Sequence, residues 1–267
     1  MELTITSTIL GAIIGLILAV TGAGGASLAI PLLVIFLNIS VLEAAPIALL
    51  TVFLASSVGA IQGLTLGTVR YKTALLLAGV GVLIAPLGVK VATYASNQIL
   101  SIILCIILVF IAIQTWLSAK KVHNNSQNAE PACTINPVTS KVYWTAPCAK
   151  MLTFTGGLTG FLSGLLGVGG GFIIVPSLYK VSNFNHQTIT ATTLAAVCLI
   201  ALSSLISYMR TSGIYWNIAI PLSISAATVM IIVSAFLNHK IPAQISKKSF
   251  AIVCFIAAIY LGIRSFL

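Results

Sequence analysis

The chain has 267 residues, 59% of them hydrophobic and 6% charged, with a formal net charge of +10. A mean hydropathy of +1.14 and a charge content far below the about 25% of soluble domains exclude a water-soluble globular fold. The composition specifies an all-α polytopic membrane protein in a lipid bilayer. The positive excess then belongs to membrane topology and not to nucleic-acid binding, since no aromatic-interleaved basic patch is present.

Apolar segments are predicted at 3–20, 27–38, 44–66, 73–92 and 99–119. A polar stretch, 120–150, follows with Lys120, Lys121, Pro131, Pro137 and Pro147. The pattern then recurs at 152–166, 172–181, 188–209, 216–236 and 248–267. This divides the chain into a first transmembrane repeat (1–119), a linker (120–150) and a second repeat (151–267). The start, Met1-Glu2-Leu3-Thr4, has no basic region, so no cleaved signal peptide is expected. Cys105, Cys198 and Cys254 fall in apolar spans and are read as packing residues. Cys133 and Cys148 share the linker, where a disulfide is left open. No metal-ligand spacing occurs, and no cofactor is expected.

A glycine-rich break occurs twice. Gly22-Ala23-Gly24-Gly25-Ala26-Ser27 runs on to Pro31, and Gly167-Val168-Gly169-Gly170-Gly171-Phe172 runs on to Pro176. An offset of 145 maps Gly11, Gly15, Gly24, Gly25, Pro31 and Leu33 onto Gly156, Gly160, Gly169, Gly170, Pro176 and Leu178. Non-helical backbone at membrane depth survives only where protein or a polar cavity satisfies it. Paired breaks in two repeats therefore point to a binding site in a transporter. The pieces around each break are shorter than the about 30 Å hydrocarbon core, so each pair is read as a broken-helix hairpin followed by three transmembrane helices. Pro31 and Pro176 are expected early in the second arm, where a missing N–H costs least.

Charge sets orientation. Counting each break as a connection, one set of connections carries Glu2, Glu43, Lys90, Arg210 and Arg264, a sum of +1. The opposite set, including the linker, carries +9. By the positive-inside rule the linker is cytoplasmic and both termini face outward. Each half then crosses an odd number of times, which makes the two repeats inverted.

Free backbone N–H groups beside a helix start, with the partial positive charge there, suit an anion. Gly24, Gly25 and Ser27 of the first break, with Gly169, Gly170 and Gly171 of the second, are the candidate donors. Thr51, Ser56, Gln62, Thr192 and Thr193 are second-tier candidates in the spans that follow. Hydroxyls in lipid often bond back to their own helix, whereas the Gln62 amide needs a partner. Gly11-xxx-Gly15 and Gly156-xxx-Gly160-xxx-Gly164 read as helix-packing stripes. Glu2, Glu43 and Glu130 are the only carboxylates, and none lies mid-span. A cation would lack a counter-charge, which favours an anion or a neutral solute. Ser163 superficially suggests an intramembrane serine protease, but no intramembrane histidine accompanies it, so an enzyme is not expected.

The run Gly164 to Pro176 (GLLGVGGGFIIVP) resembles the signature of the TauE/SafE family of sulfite exporters and related permeases. Ala191-Thr192-Thr193-Leu194 resembles the family's small-Thr-Ser-Leu segment, and Gly22 to Gly67 resembles the same pattern more loosely. The resemblance implies transport of a small, sulfur-containing anion such as sulfite, thiosulfate or an organosulfonate across a bacterial inner membrane. Ala26 stands where the first break would have a third glycine. Pro46-Ile47-Ala48-Leu49 stands where the family has a Thr-Ser pair, so the half-sites are unequal. A passive anion channel and a non-transporting membrane scaffold remain the alternatives, and a homodimer is left open.

Overall fold

The computed structural model describes residues 2–21, 25–121, 146–182, 184, 186–211, 213–237 and 243–266, and they are helical almost throughout. In chain order the helices are α1 (Glu2–Thr21), α2 (Ala26–Leu37), α3 (Val41–Thr65), α4 (Tyr71–Tyr94) and α5 (Asn97–Lys121). After the linker come α6 (Ala146–Leu166), α7 (Gly171–Val181), α8 (His186–Thr211), α9 (Trp216–Leu237) and α10 (Ala243–Phe266). Among the described residues, five of them, α3, α4, α5, α8 and α9, are both long and apolar enough to cross a membrane.

The hairpins differ from expectation in one arm. α1 has 20 residues and α6 has 21, about 30 Å each and long enough to span. Only α2 and α7, with 12 and 11 residues, are short, about 18 and 17 Å. α6 begins six residues before the apolar segment at 152, because Pro147 sits in its first turn, a position that proline favours. The prolines of the short arms are also deeper than expected. Pro31 and Pro176 are each the sixth helical residue, so they remove hydrogen bonds to the carbonyls of Ser27 and Phe172.

α3 and α8 form the centre: 67% and 61% of their apolar windows are buried, against 28% for α5 and 39% for α4 and α9. Around them α4 packs on α6 and α8, α9 on α1 and α3, and α5 on α10. Shifting every helix number by five reproduces these pairings. Contacts along the pairs fix directions. On the central pair Ser57 meets Cys198, Gly59 meets Leu194 and Gly63 meets Ala191, so α3 and α8 run antiparallel. Gly156, Gly160 and Gly164 meet Leu77, Gly81 and Ala85, and Gly11 and Gly15 meet Leu222 and Ala226. The pairs α6–α4 and α1–α9 therefore run parallel.

These stripes are close approaches of backbone to backbone. A Cβ at Gly11, Gly15, Gly156, Gly160 or Gly164 would lie 2.1–2.6 Å from a carbonyl oxygen of the facing helix. Without a hydrophobic effect between helices in lipid, such van der Waals packing is what holds them. The outer faces carry large apolar side chains such as Leu83 (77% exposed) and Phe154 (73%). Exposed aromatics stand at helix ends: Tyr71 and Tyr94 on α4, Trp216 on α9. That is the aromatic pattern of a membrane–water interface.

Cys148 is buried and disulfide-bonded, and Cys133 lies outside the described residues. Cys105, Cys198 and Cys254 are free and packed within the bundle.

The α4–α6 contact yields a direct test. Gly160→Ala places a methyl against the Gly81 backbone and is expected to cost about 1–3 kcal/mol, as overpacking does. Gly79→Ala, on the open side of α4 with nothing within 4 Å, is expected to cost nothing and to raise stability by up to about 1 kcal/mol. Thermal unfolding of the two purified variants in detergent checks the contrast.

Candidate transport site

The second break is built from glycines in a left-handed conformation. Gly167, Gly169 and Gly170 have φ of 72°, 71° and 68°, which side-chain-bearing residues adopt at a cost. Gly167 N–H donates to Ser163 O (2.8 Å), closing α6, and the Tyr208 hydroxyl donates to Leu165 O (3.4 Å). The released end of α6 is thus partly satisfied by protein, as irregular backbone in lipid requires. Gly170 caps the start of α7, Gly171 is its first residue, and Ile173 N–H donates back to Gly170 O (3.1 Å).

The first break differs. Gly24, with Gly22 and Ala23, lies outside the described residues. Gly25 is right-handed (φ −57°), and glycine is required there for room instead: a Cβ would lie 2.4 Å from Leu18 N. The chain therefore doubles back on α1. Thr21 secures the bend, its hydroxyl donating to Ile17 O (2.7 Å) and accepting from Gly25 N–H (3.0 Å). Ser27, in the first turn of α2, is buried and hydrogen-bonds with Cys254 of α10.

The two breaks meet. A Cβ at Gly169 would contact Ala26 of the first break, Val52 of α3 and Val197 of α8. Val52 and Val197 are each the twelfth residue of their helix and are related by the same offset of 145 as the breaks. The meeting point therefore lies halfway along the two central helices, with the starts of α2 and α7 beside it. Each start presents backbone N–H groups and the positive end of a helix dipole.

The second-tier candidates scatter around this point. Thr51, beside Val52, donates to Ile47 O (2.9 Å) and pairs with the Ser223 hydroxyl of α9 (3.0 Å). Ser56 donates to Phe53 O (3.2 Å) and Thr193 to Ile189 O (2.7 Å). Both are one turn from the central valines. Thr192 accepts the Arg70 backbone N–H (3.0 Å), fixing the α3–α4 connection. Gln62 bonds to Ser234 of α9, ten residues and about 15 Å along α3 from Val52. Gln62 thus has the partner its amide demands, but at the end of the helix and away from the breaks. Ser163 pairs with the Ser204 hydroxyl (3.2 Å).

Thr159 is an addition. Together with Thr155 and Ser163 it makes a buried hydroxyl stripe on α6 at a spacing of four residues, interleaved with the glycine stripe. That spacing is visible in the sequence once α6 is known to be helical. Thr159 packs on Gly170, whose Cβ would lie 2.3 Å from its Cγ2.

Each end of the α3–α8 pair is tied to the other half of the chain. At one end Tyr215 donates its hydroxyl to Glu43 Oε1 (3.1 Å). Glu43 also completes a capping box with Ser40 at the start of α3. This hydrogen bond raises the Tyr215 phenol above its ordinary value. At the other end Arg70 lies 5.9 Å over the Phe184 ring, a cation–π distance, and its N–H meets Thr192. Positions 70 and 215 are again 145 apart.

A family model, Sulfite exporter TauE/SafE, matches residues 7–261. The chain belongs to this family. It is similar to a "Probable membrane transporter protein" of Methanocaldococcus jannaschii, 26% identical over 258 residues, covering 92% of this chain and 88% of the relative. Another of the same description from Xylella fastidiosa is 27% identical over 222 residues, covering 82% and 78%. A third, from Bacillus subtilis, is 23% identical over 250 residues, covering 90% and 87%. No solved structure matches significantly. The chain is thus a multi-pass membrane protein of a transporter family, and the TauE/SafE match spans both glycine breaks.

Gly170 tests the break in this TauE/SafE member. Gly170→Ala combines a left-handed φ with a contact against Thr159, and is expected to destabilise by about 1–3 kcal/mol. Gly213→Ala, with nothing within 4 Å and no positive φ, should behave as wild type. Thermal unfolding in nanodiscs distinguishes them.

Proposed function

We propose that this chain is a secondary transporter of a small anion, sulfur-containing in class, working by alternating access around the meeting point of the two breaks. The observation that carries this reading is Gly169 against Ala26, midway along α3 and α8. Two helix starts converge there at membrane mid-depth, and helix starts favour anions. The absence of a carboxylate among the residues contacting this point argues against a cation. The family description names sulfite, and sulfite, thiosulfate or an organosulfonate is the substrate class we assign. Gly24, Gly25, Ser27, Gly169, Gly170 and Gly171 would supply the donors. Thr51 and Thr193, nearest along the central helices, would follow. The hydrogen bonds of Gln62 and Thr192 favour structural duties for those two.

The helix directions support inverted repeats, with residues 1–119 and 151–267 as the two units. α3 and α8 correspond by position and run antiparallel, as two copies related by an axis in the membrane plane must. The Glu43–Tyr215 and Arg70–Phe184 contacts would then be the two gates, one at each membrane face, joining opposite halves. Opening one while the other holds gives access from one side at a time.

The charge tally places the 120–150 loop in the cytoplasm and both termini outside a bacterial inner membrane. The disulfide at Cys148 argues the other way, since disulfides persist in oxidising compartments. We assign orientation by the tally, which draws on sixteen charged side chains against one bond.

In proteoliposomes, labelled sulfite, thiosulfate or a sulfonate is expected to move with saturation and to show counterflow. Flux without saturation would indicate a channel. No flux of any of these under any gradient would leave a scaffold. Spanning Glu43→Cys and Tyr215→Cys with a cleavable bifunctional thiosulfonate, in a chain with its other cysteines replaced, should stop transport. A reductant should restore it. Unchanged flux in the cross-linked protein would remove that contact as a gate.

A further inference from the structure

Thr159 is fully buried, yet its hydroxyl has no hydrogen-bond partner. Other buried hydroxyls of the bundle solve this locally. Thr155, Thr51, Thr193 and Ser204 each donate to the carbonyl four residues back. The Thr159 hydroxyl makes no such bond to the equivalent carbonyl, that of Thr155. A buried donor without an acceptor is costly, and such a group calls for an explanation.

Its position names that something. Thr159 walls the second break: a Cβ at Gly170 would lie 2.3 Å from its methyl and 2.9 Å from its carbonyl oxygen. Methyl and hydroxyl share one Cβ, so a single χ1 step can bring the hydroxyl to the place the methyl holds. That step turns the hydroxyl toward the start of α7. The other buried hydroxyl without a partner among the described residues, Thr190, lies seven residues and about 10 Å along α8 from Val197.

We propose that Thr159 is a specificity-determining residue whose hydroxyl donates to an oxygen of a small oxyanion held at the start of α7. This rests on the anion-transport reading above. The positive end of α7 disfavours a cation at the same place, so the hydroxyl acts as donor and not as acceptor. The position 145 residues earlier is Ile14, apolar and fully buried. The extra donor therefore belongs to the second break alone, and discrimination between anions resides there.

The test compares wild type, Thr159→Val and Thr159→Ser, reading sulfite flux in proteoliposomes and thermal stability in the same membranes. Thr159→Val keeps the shape and removes only the donor. It is expected to raise KM for sulfite about tenfold or more, as loss of one hydrogen bond to a charged group does. Its Tm should equal or exceed that of wild type, because an unsatisfied polar group has gone. Thr159→Ser keeps the donor and should restore KM. A Thr159→Val KM within about twofold of wild type overturns the proposal while leaving the transport reading intact. So does a Thr159→Ser variant as impaired as Thr159→Val, because shape and not the donor would then matter. Absence of sulfite, thiosulfate and sulfonate flux in wild type overturns the transport reading itself, and this inference with it.

Discussion

Every backbone N–H and C=O at membrane depth must find a partner inside the protein, and the arrangement of this chain follows from that demand. A continuous helix meets it alone. Two interrupted helices do not, so their ends have to be enclosed. The α3–α8 pair is the enclosure, with α6, α1 and the short helices around it. Tyr208 donates to the released carbonyl of Leu165 at the second break, and Thr21 accepts the Gly25 N–H at the first. Where described, the breaks are not loose turns in lipid but closely packed against their neighbours, at Gly25 on Leu18 and at Gly170 on Thr159.

The two breaks reach that state by different physics. In the second, three glycines at φ near +70° turn the chain between helices. In the first, Gly25 keeps a helical φ, and its lack of a side chain serves to bring α2 against the backbone of α1. The loss of a glycine at Ala26 fits this difference: a residue in αR geometry tolerates a Cβ, provided the space is there. It also places a methyl where the second break has Gly171. The two breaks are thus unequal in shape, and with Thr159 in the position that corresponds to Ile14 they are unequal in chemistry.

The sequence makes most of the helices legible, because a span of about 20 apolar residues has few alternatives. Segments 73–92 and 216–236 match α4 and α9 within two residues at each end. The start of α6 was hidden because Pro147, Cys148 and Lys150 read as linker, although proline suits a first turn. The glycine stripes and the offset of 145 were also legible as local patterns. What met the breaks was not. Val52 and Val197 are ordinary apolar residues whose significance lies only in where α3 and α8 cross. Gln62 shows the converse: a conspicuous amide in the sequence, it is satisfied by Ser234 at the end of the bundle.

The same offset that aligns the glycines also pairs Val52 with Val197 and Arg70 with Tyr215, and this bears on how the proposed alternating access would work. Exact duplication would give chemically identical gates. Here the backbone scaffold is repeated, but the contacts upon it are not: a carboxylate–phenol hydrogen bond at one end of α3 and a guanidinium over an aromatic ring at the other. Two contacts of different chemistry, if they act as the proposed gates, need not have equal strength. The equilibrium between the two open forms can then be set by these surface pairs, without altering the buried glycines where the ligand would bind. Separation of function follows from the central crossing. α3 and α8 carry the meeting point at their middles and the contacts proposed as gates at their ends, so each can change with little cost to the other.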